Sequence, residues 1–287
     1  MALLGLGRES RAPRSAILAV MADPTPPEMR DWGLVGSAEL DRVVVISPHP
    51  DDAVLGCSHL MSAHPGVTVI TVYAGRPREY PSPMERWDAL CGFVAGDEVH
   101  AARRAEDAAA LSVLDAHPVW LDFVEHAYLP RSEWIGANDI VDTLTKTISD
   151  LKATAVFAPF GLANPDHDFT HEAALMVRDR VDPNTAWFLY EDMGYKHIPG
   201  LLAWRITQLF RKGVWPTPAA VPVDVDYARK QQAVDCYQSQ MRALEAEWGI
   251  REKLSAPAPE QYWRISPPPP GWEGLSNPSN ANTVAKP

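Results

Sequence analysis

Residues 43–46 read Val-Val-Val-Ile, four apolar β-formers in succession with no polar face. A strand of that kind must be covered on both sides, which an all-antiparallel sheet open to water does not provide. Similar short runs recur at 67–72, 119–122, 155–158 and 187–190, and between them lie helical patterns at 53–63, 98–115, 138–152 and 169–179. Strand–helix alternation of this sort predicts a doubly wound α/β domain with a mostly parallel sheet flanked by helices. A further amphipathic helix is expected over 226–248, after a Pro-rich connection, GVWPTPAAVPVDVD. In such sheets the ligand site lies beyond the carboxyl ends of the strands. Two polar clusters fall there: SPHPDD follows the first strand and PFGLANPDHDFTHE the fourth.

The 287 residues, 46% of them hydrophobic, suffice for one core. We expect a single domain over 39–265, with tails at 1–38 and 266–287, the latter rich in Pro, Ser and Asn. A net charge of -11 argues against nucleic acid as a partner, since phosphates would be repelled. Three widely spaced cysteines, Cys57, Cys91 and Cys236, suggest neither a disulfide framework nor a thiolate zinc site. No run reaches the roughly 18–20 apolar residues that a membrane span needs. The apolar pieces at the N-terminus are broken by Arg8, Arg11 and Arg14, so a secretory signal is the lesser reading and a cytoplasmic location the expected one.

In the first cluster, His49, Asp51 and Asp52 crowd four positions, and Pro48 and Pro50 stiffen the turn. Two readings stay open there: an aspartate caps the following helix, or the group holds a cation. The second cluster adds Asp166, His167, Asp168 and His171. Two imidazoles and a carboxylate with one open position make a workable catalytic zinc site, which iron(II) or cobalt would also fit.

The residues SPHPDDAVLG resemble the signature of the PIG-L/LmbE-like zinc-dependent deacetylases. The likeness continues at ARRAEDAAALSVL, where Arg103 and Glu106 match an Arg-x-x-Glu pattern, at NPDH, and at FLYEDMGY. The resemblance implies a Rossmann-like (LmbE-like) fold and removal of an N-acetyl group from glucosamine-type sugars or cleavage of related amides. It implies His49, Asp52 and His167 as zinc ligands and Asp51 as general base. Arg103, Glu191, Asp192 and His126 are the expected substrate contacts, the substrate being a small amino sugar or glycolipid precursor. The bland alternative for Arg103 and Glu106 is a helix-surface pair.

One departure stands out. The family pattern His-x-Asp-His reads Asn164-Pro165-Asp166-His167 here. In the family the first histidine stabilises the tetrahedral intermediate or protonates the amine. An amide can donate a hydrogen bond but cannot supply a proton. His126, His171 and His197 are candidate substitutes, and Asp166 would hold either Asn164 or a ligand. Two alternatives to an N-deacetylase therefore remain: an amidase on an amino-sugar thiol conjugate, and a weakly active or non-catalytic descendant that binds a glycan. A protein with no metal, whose PHPDD merely starts a helix, is the third. The sequence leaves the oligomeric state open.

Overall fold

The structure is a computed structural model, and it describes residues 33–255 and 260–268. Its strands are β1 (Val43–Ser47), β2 (Thr68–Thr71), β3 (His117–Trp120), β4 (Ala155–Pro159), β5 (Ala186–Tyr190), β6 (Trp215–Ala219) and β7 (Tyr262–Ser266). The α-helices in chain order are α1 (Asp52–Ala63), α2 (Arg86–Cys91), α3 (Val99–Val113), α4 (Ala137–Leu151), α5 (Pro165–Arg178), α6 (Leu201–Arg211), α7 (Tyr227–Val234), α8 (Gln238–Trp248) and α9 (Ile250–Ser255). All seven strands form one sheet in the order β3-β2-β1-β4-β5-β7-β6. The first five are parallel, and β7 runs antiparallel to both of its neighbours. Among the described residues no helix is long and apolar enough to cross a membrane.

The unalternating strands behave as their composition requires. Val43 and Val45 enter one hydrophobic cluster and Val44 and Ile46 another, so side chains leave β1 on both faces and find cover on both. Along β4, Phe157 joins the first cluster and Val156 and Ala158 the second. The chain builds β2 and β3 on one side of β1, then crosses back to lay β4 against its other side. The carboxyl ends of β1 and β4 thus flank the topological switch point, where α/β sheets hold their ligands.

Several boundaries differ from expectation. The strand expected over 119–122 is shifted to His117–Trp120. The helix expected from 169 begins at Pro165, because the Asn164 side chain accepts the Asp166 N–H as an N-cap and proline suits the first helical position. The single helix expected over 226–248 is two, α7 and α8, parted at 235–237. The Pro-rich connection contains β6, whose Pro216 and Pro218 are tolerated because it is an edge strand. Residues 33–38, expected in the tail, join the body: Ala220 N–H donates to the Gly33 carbonyl at 2.6 Å and Val35 is buried. The remainder of both expected tails lies outside the described residues, apart from 266–268, of which Ser266 closes β7.

Candidate metal centre

The turn after β1 is fastened from within. The Ser47 hydroxyl donates to the His49 carbonyl at 2.6 Å and accepts from Ala53 N–H at 3.0 Å. Asp51 sits at φ 116°, strained for a residue other than glycine, and its side chain makes no capping bond to α1. The helix-cap reading of Asp51 therefore fails. The Asp52 Oδ2 atom instead lies 3.3 Å from His49 Nδ1 and 3.3 Å from His167 Nε2, and accepts the His49 backbone N–H at 3.0 Å. His167 arrives from the first turn of α5, where Asn164 and Pro165 set the start of the helix.

The outer atoms of the two imidazoles have partners of their own. His49 Nε2 lies 2.9 Å from Asp166 Oδ2, and His167 Nδ1 lies 2.6 Å from Asp192 Oδ1. A ring nitrogen that donates to a carboxylate leaves the opposite nitrogen with its lone pair bare, so both lone pairs turn toward Asp52. Tetrahedral zinc with ligands at about 2.0–2.1 Å sets neighbouring ligand atoms about 3.3 Å apart. The donor set and its spacing fit a divalent metal held by His49, Asp52 and His167. A second group, His49, Glu125 and Asp166, also meets metal-ligand spacing. Its Glu125 is already bonded to Arg103, and its His49 atom is the one hydrogen-bonded to Asp166. Asp166 and Glu125 are thus better read as supports of the first trio than as ligands.

Electrostatics sharpen the division of labour. Burial opposes charge on His49, but Glu125, Asp166 and Asp52 outweigh it and raise the imidazole well above its ordinary value. Burial likewise pulls His167 down, yet Asp52 and Asp192 carry it up to about 9. For Asp52 burial acts upward, and the two imidazoles overcome it, holding the carboxyl far below the usual range. Asp51 goes the other way: burial and the adjacent Asp52 charge drive it well up, against the pull of Arg103. A cation entering here displaces protons from the imidazoles.

These groups line a cavity of about 350 Å³. Among the expected site residues, His49, Asp51, Asp52, Arg103, His126, Asn164, Asp166 and His167 all line it. Arg103 is buried and pairs with Glu125, while Glu106 accepts from Ser239 at the start of α8, so the two do not form a surface pair. Two expected substrate contacts fall elsewhere. The Asp192 side chain is fully buried behind His167. Glu191 bonds to Lys196 and Trp263 and lines a separate, smaller cavity. The sequence analysis missed Glu125 and Tyr195, which line the cavity with Trp87, Trp134 and Trp248.

Residues 44–177 match the family described as PIG-L: GlcNAc-PI de-N-acetylase. That span, somewhat under half of the 287 residues, carries a likeness to the PIG-L family. The matched span contains His49, Asp51, Asp52 and His167 and stops short of Asp192 and Tyr195. The chain is similar to a deacetylase triple mutant from the teicoplanin biosynthetic pathway, with a TM-score of 0.64 and 25% identity, covering 79% of this chain and 98% of that one. It is similar to the same extent to the A40926 pseudoaglycone deacetylase, with a TM-score of 0.63 and 25% identity, again over 79% and 98%. A curated relative, a nucleoside triphosphate pyrophosphatase of Saccharopolyspora erythraea, is 33% identical over 87 residues. That match spans 30% of this chain and 39% of the relative, well under half of either.

Proposed function

We propose that this chain is a PIG-L-type, metal-dependent N-deacetylase, acting on a small substrate that carries an N-acetylated amino sugar. One observation carries the reading. Two imidazoles, each backed by its own carboxylate, converge on one oxygen of Asp52 at the switch point, beside a buried Asp51 that takes no part in the trio. The similar solved structures, a deacetylase of the teicoplanin biosynthetic pathway and the A40926 pseudoaglycone deacetylase, support the reaction class.

Zinc or iron(II) bound by His49, Asp52 and His167 would supply a Lewis acid for the amide carbonyl and a water of lowered pKa near neutrality. Asp51, driven up by burial, is suited to take a proton from the attacking water and return it to the leaving nitrogen. Arg103 holds Glu125 in place behind His49. Trp87, Trp134 and Trp248 offer apolar faces with polar edges, which suit a sugar ring. Acetate and a free amine would leave.

The test is elemental analysis of protein purified without chelator, followed by acetate release from N-acetylglucosaminides. About one zinc or iron per chain with acetate release is the expected result. A chain that takes up no divalent metal even when it is supplied overturns the reading. A metal-loaded chain that releases no acetate from such glycosides leaves the metal centre standing and rejects the substrate class.

A further inference from the structure

A second cavity adjoins the one lined by the metal trio. It measures about 60 Å³, room for a compact group of a few heavy atoms. The two cavities share Leu55 and Met193 in their linings. Both shared residues stand next to the trio in the chain. Leu55 is on α1 three residues beyond Asp52, about 4.5 Å along the helix axis. Met193 follows Asp192, the carboxylate behind His167. His197, a candidate substitute for the family's histidine, lines this smaller cavity and not the larger one.

The polar lining carries an excess of positive charge, a local reversal of sign in a chain whose net charge is -11. Three ammonium groups, on Lys196, Lys230 and Lys253, share it with two carboxylates, Glu191 and Glu260. Each carboxylate is already matched. Glu260 accepts from Lys230 at 2.6 Å through Oε1, and from the Tyr262 hydroxyl at 2.6 Å and the His59 N–H at 2.9 Å through Oε2. Glu191 accepts from Lys196 at 3.2 Å and from the Trp263 indole at 3.1 Å. Lys253 is left over. Among the described residues no carboxylate pairs with it, and it donates to the Trp248 carbonyl with its ammonium 5.8 Å from the indole ring. The Lys230 side chain is only 8% exposed, and it spends two of its three N–H donors on Glu260 and on the Leu55 carbonyl at 2.9 Å, which leaves one. The excess charge is felt at His197, where burial, then Lys196 and Lys253, lower the imidazole below its ordinary value despite Glu191.

We propose that the smaller cavity is an anion subsite, which receives a carboxylate or phosphate group carried by the same substrate whose N-acetyl group meets the metal trio. Lys253 supplies the unmatched charge, and Lys230 and Lys196 add N–H donors whose charges are already balanced. The shared border at Leu55 and Met193 lets one molecule span both cavities. An oxyanion here gains charge-assisted hydrogen bonds, which are shorter and stronger than neutral ones. The preferred substrate is then an anionic amino-sugar conjugate rather than a neutral glycoside. The proposal rests on the deacetylase reading for the molecule that carries the anion, and on the cation cluster alone for the site.

The experiment uses zinc-loaded full-length protein and two readouts. The first is the affinity of inorganic phosphate by calorimetry, where dependence on Lys253 separates this cavity from the metal. The second is the ratio of kcat/KM for acetate release from carboxymethyl and methyl N-acetylglucosaminides. Lys253→Gln should weaken phosphate about 10-fold, the scale of one hydrogen bond to a charged group, and cut the preference for the anionic glycoside by a similar factor, with zinc content unchanged. Lys253→Arg keeps the charge and should retain both. Lys196→Gln should also weaken phosphate, and serves if Lys253→Gln does not fold. Phosphate that binds these glutamine variants as tightly as the wild type, or that does not bind the wild type, overturns the proposal. Lys253-dependent phosphate binding without any preference for the anionic glycoside overturns the link to the substrate and makes the site one for a free anion. Lys253-dependent binding with no acetate release from either glycoside rejects the deacetylase reading and sustains the anion site.

Discussion

The floor and the wall of the cavity are built on different physics. The floor consists of His49, Asp52 and His167, set on the ends of β1 and on the first turn of α5, and locked from behind by Asp166 and Asp192. Every member is tied to a neighbour by charge. The wall consists of Trp87, Trp134, Tyr195 and Trp248, carried on helices and loops beyond the strands and held by ring contacts and single hydrogen bonds: Trp87 donates to Gln240 at 2.9 Å, Trp134 stacks on His126 at 4.6 Å, and Trp248 meets Tyr195 edge-on. The contrast teaches that, under the proposed function, the metal and the substrate would answer to separate parts of the chain. A substitution in the floor should act on metal content, and one in the wall on KM or on binding with the metal intact.

The sharpest break would come at the floor itself. His167→Ala removes one of three donors, and should bring metal content close to zero after dialysis and acetate release to background; full zinc content would mean a different third ligand. Asp51→Asn comes next. It should keep the metal and lose about 100- to 10,000-fold in turnover, the range for a lost general acid–base group; metal analysis beside steady-state kinetics checks it. Replacing a backing carboxylate, Asp192→Asn or Asp166→Asn, should weaken metal affinity about 10- to 100-fold, read by chelator competition. Metal uptake by the wild type should also strengthen as pH rises toward 9, because His167, raised to about 9, must shed a proton to ligate.

Effects in the wall are smaller. Trp134→Ala should raise KM about 3- to 10-fold with metal content unchanged, the scale of one lost aromatic contact; a drop in metal would show that wall and floor are coupled through His126. The smallest effect concerns stability. Asp88, on α2, accepts the Tyr128 hydroxyl at 2.9 and 3.0 Å, and burial carries its carboxyl up to about 6 despite those bonds. Its folded value exceeds the unfolded one, about 3.9. The stability it contributes is therefore complete below about pH 4 and lost as pH rises through 6. Asp88→Asn should raise stability by about 1 kcal/mol at pH 7–8 and leave it unchanged near pH 4, measured by denaturant unfolding.

Much of this was legible from residues close together in the chain. The parallel strands could be read because runs such as Val43 to Ile46 have no polar side. The antiparallel pair β7-β6 could not, because Pro216 and Pro218 argue against a strand unless its place at the edge is known. The helix start at Pro165 was obscured by reading Asn164 as the relic of a histidine rather than as an N-cap. Arg103 and Glu106 look like partners at helical spacing, yet each is claimed by a group far along the chain, Glu125 for one and Ser239 for the other.

By itself the sequence determined which residues would stand at the strand ends and what chemistry they carry, since strand burial, caps and turns are set by neighbours a few residues away. Only the tertiary structure decided how they pair. The strand order brings Asp166 to His49 across 117 residues and Asp192 to His167 across 25, and so selects which nitrogen of each imidazole faces Asp52. The same packing turned Asp192 from an expected sugar contact into the backing of His167. Convergence of this kind depends on the order and registry of the whole sheet, which no local stretch encodes.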